Sequence, residues 1–75
     1  MRWLDVFLQP IELLEERWKH IVSEHPEMYE HQEKLPLVLA APDYVKRSKR
    51  DENVLLYYRY FSELFGGKFL LVVVK

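Results

Sequence analysis

The sequence contains no cysteine, and this absence excludes several kinds of chemistry at once. Disulfide bonds, thiolate metal ligands and a cysteine nucleophile are all ruled out. A chain of 75 residues therefore depends on noncovalent packing. At this size folding hides only about 60–65% of the unfolded surface, so we expect a small stability. The lack of cysteine also fits a reducing compartment, and we predict a cytoplasmic protein.

Other signatures are missing as well. The sequence has only two glycines, adjacent at Gly66 and Gly67, which indicate a turn and leave no glycine-rich phosphate-binding loop. The longest apolar runs, such as residues 70–74, are far too short to span a bilayer. The N-terminal residues lack the order of a secretory signal. From these two observations we predict no membrane association. No serine elbow, paired carboxylates or histidine spacing typical of a metal site occurs, so we also predict no cofactor and no metal.

What the sequence does contain is typical of one small globular domain. Hydrophobic residues make up 49% and aromatic residues 15% of the chain, which is not the composition of a disordered protein. No internal repeat, low-complexity stretch or linker is visible. We therefore treat residues 1–75 as a single domain.

The charges are unevenly distributed, although the net charge is only −1. Residues 1–45 hold nine acidic and four basic side chains, whereas residues 46–75 hold seven basic and three acidic ones. The basic half is able to face phosphates. Alternatively, the two halves attract each other within the fold. Both interpretations remain open at this stage.

The first half of the chain is predicted to be mainly helical, after a short strand at residues 3–8. A helix with an acidic first turn, which the helix dipole favours, is expected to end where Pro26 disfavours helical geometry at the preceding residue. Its apolar stripe is formed by Leu14, Trp18, Ile21 and Val22. A second helix within residues 27–41 is expected to break near Pro36. Its inward-facing positions are predicted to be Leu35, Leu37, Leu39 and Ala40.

The second half is predicted to form strands at residues 44–48, 54–61 and 68–75, which short turns join into an antiparallel meander. The fold class is therefore α+β, with two N-terminal helices packed on a small antiparallel sheet. The valines of residues 72–74 are apolar on both faces, which is typical of a central strand. Such a strand needs neighbours on both sides. We therefore expect the N-terminal strand or a second copy of the chain to complete the sheet, and we predict a homodimer through an exposed strand edge.

Several motifs occur in a fixed order along most of the chain. In chain order they are Trp18-Lys19-His20-Ile21, His25-Pro26-Glu27, Pro42-Asp43-Tyr44-Val45, Tyr57-Tyr58-Arg59 and the valines of the last strand. In this combination the chain resembles the phage- and bacterium-associated proteins grouped with the barnase–EndoU–colicin–RelE-like nucleases. It departs from that family at Leu14, where members tend to carry a capping hydroxyl. It also lacks the further strand that usually follows the valines, and if that strand supplies catalytic groups the chain is inactive or incomplete.

The resemblance implies helices on an antiparallel sheet and metal-independent RNA cleavage of the toxin type. Such cleavage needs a base for the ribose 2′-hydroxyl, an acid for the leaving oxygen and cations for the phosphate. By motif, the catalytic candidates are His25, His20, Arg59 and Tyr57. The RNA-binding candidates are Lys46, Arg47, Lys49 and Arg50. An active enzyme of this type also implies a neutralising protein partner, as in toxin–antitoxin pairs.

Each of these residues also has a structural interpretation. His25 is placed to satisfy the last carbonyls of its helix, and His20 lies beside the apolar stripe. The basic residues after position 45 suit a solubilising strand edge. The tyrosines of residues 57–60 suit cross-strand packing as well as base stacking. The second functional hypothesis is therefore a noncatalytic interaction or dimerisation protein on the same scaffold.

Overall fold

The computed structural model describes residues 1–64 and 66–75, and its architecture is α+β, as the sequence predicts. A hairpin of two short strands precedes the helices, and three longer strands follow them. In chain order the elements are β1 (Arg2–Leu4), β2 (Pro10–Glu12), α1 (Glu15–Glu24), a 3-10 helix (Pro26–Lys34), α2 (Leu35–Ala40), β3 (Tyr44–Arg47), β4 (Leu55–Phe61) and β5 (Lys68–Val74).

The N-terminal segment is a hairpin and not the single strand predicted at residues 3–8. Strands β1 and β2 pair antiparallel with each other in a separate two-stranded sheet. Asp5 shapes the loop between them, because its Oδ1 accepts hydrogen bonds from the backbone N–H groups of Phe7 at 2.9 Å and Gln9 at 2.8 Å. Pro10 is tolerated in β2 because each strand of a two-stranded sheet has one unpaired side.

Helix α1 begins at Glu15 directly after Leu14, which provides no side-chain hydrogen bond as an N-cap. It ends before Pro26, as expected. Trp18 is buried, whereas Leu14 at the start of the predicted apolar stripe is exposed. The helix packs against the 3-10 helix.

The chain changes helix type close to the predicted break at Pro36. It forms the 3-10 helix up to Lys34 and then α2, in which Pro36 occupies the first turn, where a missing N–H costs little. The buried side chains of α2 are Leu35, Val38 and Leu39. Leu37 and Ala40, which were expected to face inward, are exposed because helical spacing puts them outside the buried i, i+3, i+4 face.

Strands β3, β4 and β5 form an antiparallel sheet in that order, with Tyr44 opposite Tyr58 and Leu55 opposite Val74. β4 is the central strand. β5 lies at an edge, whereas its run of valines predicts a central position. The valines do not decide the position because the sheet is covered on one side only: Val73 is 59% exposed on the uncovered side.

The core lies between α2 and the inner side of this sheet. Helix α2 packs against β1, β4 and β5, so it is the helix that covers the sheet. The buried cluster consists of Val38, Leu39, Tyr57, Phe61 and Leu64, with Trp3, Ile11, Val45, Leu55, Leu70, Val72 and Val74 packed around it. None of the helices in residues 1–64 and 66–75 has both the length and the apolar character needed to cross a membrane.

Candidate nucleic-acid interface

The side of the three-stranded sheet that faces away from α2 is called the outer face below. Successive side chains of a strand point to opposite sides, so the observed register assigns every second residue of β3, β4 and β5 to this face. The outer face consists of Tyr44, Lys46, Leu56, Tyr58, Tyr60, Phe69, Leu71 and Val73. Most of it is exposed, because the core lies on the other side.

Four aromatic side chains of the outer face contact one another, and they are called the aromatic cluster. Tyr44 stacks on Tyr58 across β3 and β4, with ring centroids 4.8 Å apart and planes inclined by 29°. Phe69 on β5 lies 5.7 Å from Tyr44 and 6.5 Å from Tyr58, between centroids. It also meets Tyr60 at 5.4 Å, edge to face. One ring set therefore extends across all three strands.

Lys46 adds a positive charge to this cluster. Its Nζ lies 5.3 Å from the ring centroid of Tyr44 and 6.0 Å from that of Tyr58, which is cation–π distance. No carboxylate among residues 1–64 and 66–75 forms an ion pair with it. Its charge is therefore available to an anionic ligand above the rings.

The other predicted RNA-binding residues follow Lys46 along the chain but do not share its face. Arg47 points to the opposite side of β3, where its guanidinium donates to the backbone carbonyl of Glu52. Lys49 and Arg50 are exposed in the loop after β3, and the N–H of Arg50 donates to Ser48 Oγ at 3.2 Å. All four side chains are exposed, and of these four Lys46 is the one on the outer face.

Of the predicted catalytic residues, Tyr57 is fully buried. Its hydroxyl donates a 2.5 Å hydrogen bond to Oδ2 of Asp5 in the hairpin loop. Burial raises the pKa of Tyr57 well above its usual range, and the hydrogen bond to Asp5 and its negative charge raise it further. The hydroxyl is therefore a structural donor in the core, which leaves it no access to a substrate on the surface.

The carboxylate of Asp5 is buried as well, with only 2% of the residue exposed. Burial alone raises a carboxyl pKa. In Asp5 the hydrogen bonds from the Tyr57 hydroxyl and from the N–H groups of Gln9 and Phe7 outweigh burial, and the pKa is lowered. Asp5 is not among the residues predicted to be functional. An aspartate in a loop signals local bonds to following N–H groups, but no sequence signal identifies its partner on β4.

His20 lies in the middle of α1, His25 directly follows the helix, and both are exposed. His20 Nε2 is 3.2 Å from Glu24 Oε1, and His25 Nδ1 is 3.7 Å from Glu27 Oε1. Arg59 instead lies on the inner side of the sheet. No hydrogen bond or ion pair in the described part of the chain joins either histidine to Arg59 or to Tyr57.

Arg59 has its own packing role. Its guanidinium donates to the backbone carbonyl of Ala41, directly after α2, and its Cζ lies 5.7 Å from the Phe61 ring centroid. Its Nε is buried without a hydrogen-bond partner among the described residues. These contacts tie β4 to the end of α2.

Two open cavities, of about 420 and 310 Å³, lie among the N-terminal strands and helices. The larger is lined by Trp3, Tyr29, Gln32, Glu33 and Pro36. None of the four predicted catalytic residues lines either cavity. In residues 1–64 and 66–75 no three metal-ligating side chains cluster together.

Comparison of the chain with protein-family models, with curated proteins and with solved structures gives no match in any of the three. The resemblance to the nuclease family therefore stays a prediction.

Proposed function

We propose that the protein is a noncatalytic binding module for single-stranded RNA, and that the outer face of its sheet is the binding surface. The aromatic cluster is the observation that carries this proposal. Tyr44, Tyr60 and Phe69 are 41%, 48% and 50% exposed, although burying such rings is normally favourable. A ligand with flat apolar faces would stack on these exposed rings and cover them, which explains their presence on all three strands.

Unpaired bases have such faces, and stacking on an aromatic side chain contributes about 1–3 kcal/mol per base. Bases in a duplex are already stacked, so the cluster favours single strands. Neighbouring strands are about 4.8 Å apart, which lets consecutive unstacked bases use rings on different strands. Lys46 supplies charge for the phosphates, with Lys49 and Arg50 exposed in the loop that follows β3. Affinity from such contacts falls with salt.

Binding without cleavage is the version of the RNA hypothesis that the geometry supports. A general acid and base must lie within hydrogen-bond reach of the same substrate atoms. Tyr57 is buried, and each histidine lies beside a glutamate, His20 within α1 and His25 directly after it. The aromatic cluster needs none of these groups to bind a strand.

The test is an anisotropy titration of a labelled oligouridine at low salt, beside a duplex RNA of equal length. We expect the single strand to bind more tightly than the duplex. Phe69→Ala should weaken single-strand binding by about 5- to 150-fold, the equivalent of one stacked base. Tyr29→Ala is the matched control, because Tyr29 is 70% exposed but lies outside the sheet. It should bind as the unchanged protein does.

The same samples test the competing hypothesis. RNA integrity is followed by gel electrophoresis with EDTA present, for the unchanged protein, His25→Ala and Arg59→Ala. Intact RNA in all lanes, together with the loss of affinity in Phe69→Ala, supports the proposal. Cleavage that both variants abolish would replace it with the nuclease hypothesis, and an absence of RNA binding would leave a protein partner as the ligand of the outer face.

A further inference from the structure

Strand β5 has one edge without a partner in the described part of the chain. It pairs with β4 on one side, and β1 and β2 form a sheet of their own. The six residues from Phe69 to Val74 include no charge, proline or glycine, which are the features that normally protect an edge from pairing. The opposite edge is protected, since β3 has four residues and carries Lys46 and Arg47.

The hydrogen bonds of the sheet determine which β5 backbone groups are free. Ser48 N donates to Val54 O and Asp43 N to Tyr58 O, so even-numbered residues of β4 turn their backbone polar groups toward β3. Odd-numbered residues of β4 therefore bond to β5. Tyr57 is opposite Val72, and the other odd residues of β4 are likewise opposite even residues of β5.

It follows that Phe69, Leu71 and Val73 point their N–H and C=O groups away from β4. The three side chains are 50%, 45% and 59% exposed on the outer face. We infer that this edge binds the same edge of a second copy of the chain, antiparallel, about a two-fold axis at Leu71.

Symmetry and the faces of the sheet restrict the register, and the longest overlap of the two β5 strands selects one of those that remain. Residues directly opposite in an antiparallel pair point to the same face, so one residue must lie opposite its own copy, with the axis midway between the two. An axis at Leu71 pairs Leu71 with its own copy and Phe69 with Val73 of the second copy. This arrangement satisfies the free N–H and C=O groups of all three residues and aligns all seven residues of β5.

The proposed dimer does not depend on RNA binding, but it would extend the outer face. Pairing across β5 makes a six-stranded sheet in which the two aromatic clusters lie on one continuous surface. The two β4 strands would be three strand spacings apart, about 14 Å. A single RNA strand that bound one cluster would then meet the second.

The first experiment measures mass by sedimentation equilibrium across the micromolar range, without RNA. We expect a concentration-dependent change from one chain to two. Leu71→Pro removes the central outward N–H without touching the bonds to β4 and should be monomeric with unchanged circular dichroism. Leu71→Ala keeps that N–H and should still dimerise. A monomer at every concentration, or a dimer of Leu71→Pro as stable as the unchanged one, would overturn the inference.

The second experiment reads the register and does not need the proline variant to fold. Because the chain has no cysteine, Leu71→Cys and Val73→Cys each introduce a single thiol. Opposite residues of a hydrogen-bonded pair have Cα atoms about 5.5 Å apart, within disulfide range. The two copies of position 73 would be about 14 Å apart along the strands, four residues at about 3.4 Å each. Mild oxidation should link Leu71→Cys and not Val73→Cys, whereas equal linking of both, or of neither, contradicts the proposed pairing.

Discussion

The Tyr57 hydroxyl and the Asp5 carboxylate, 52 residues apart in the chain, share a 2.5 Å hydrogen bond in the core. Asp5 also accepts the two N–H groups that shape the hairpin loop. One carboxylate therefore both organises that loop and holds it against the central strand of the sheet. It does so on the inner side of the sheet, away from the proposed RNA surface.

Removing the hydroxyl should destabilise the protein. In Tyr57→Phe a buried carboxylate oxygen loses its partner, which costs about 1–3 kcal/mol. The free energy of unfolding from urea titration measures this cost. Tyr29→Phe, which changes an exposed tyrosine, should leave stability unchanged, and an equally small effect at Tyr57 would mean that the bond contributes nothing.

Acid should weaken the fold through Asp5. Its pKa is lower in the folded protein than in the unfolded chain, because its hydrogen bonds outweigh burial. Below the ordinary aspartate pKa of about 3.9 the unfolded chain therefore binds a proton that the folded state does not. The stabilisation by Asp5 is full above that pH and is lost as pH falls through the folded pKa.

Urea titrations between neutral pH and about pH 3 measure this loss. Asp5→Asn should be less stable than the unchanged protein at neutral pH, and the difference should shrink in acid. Glu16→Gln, on the exposed side of α1, should follow the unchanged protein. A difference for Asp5→Asn that stays constant with pH would contradict the assignment.

The turn between β4 and β5 requires glycine, and more strictly at Gly67 than at Gly66. Both have positive φ, 107° and 77°, which strains other residues. A Cβ on Gly67 would also meet the Tyr60 ring, 2.9 Å from its Cζ, whereas a Cβ on Gly66 meets open space. Thermal unfolding should therefore show a larger loss for Gly67→Ala than for Gly66→Ala, and the reverse order would be inconsistent with this turn.

The salt dependence of RNA binding should report on Lys46. Each phosphate contact to a single strand contributes about 0.7 to the slope of log affinity against log salt. Lys46→Gln should reduce that slope by about this amount. Lys19→Gln, on the exposed side of α1, should leave it unchanged, and an unchanged slope for Lys46→Gln would remove this residue from the interface.

The sequence predicts the long elements of the fold well. Pro26 and Pro36 mark the helix boundaries, because proline acts on the backbone locally. The β-branched and aromatic runs of β4 and β5 and the two glycines between them locate the hairpin of the main sheet. These signals are local, so a single sequence reveals them.

The features that the sequence could not predict depend on contacts between residues that are far apart in the chain. The edge position of β5 follows from how many strands join the sheet, and the valines are equally apolar in either case. Tyr57 and Tyr58 are neighbours in sequence and point to opposite sides of the sheet. Because α2 covers one of these sides, Tyr57 is a core residue and Tyr58 is part of the outer face. The aromatic cluster depends on distant partners as well, since only the observed register brings its four members to one face of the sheet.

Nuclear magnetic resonance locates the RNA surface residue by residue, through the aromatic and amide shifts of the isotope-labelled protein during titration with oligouridine. If RNA binds the outer face, the largest shift changes should occur at Tyr44, Tyr58 and Phe69, with little change along α1. Changes concentrated around His20 and His25, or no change at any RNA concentration, would contradict RNA binding at the outer face.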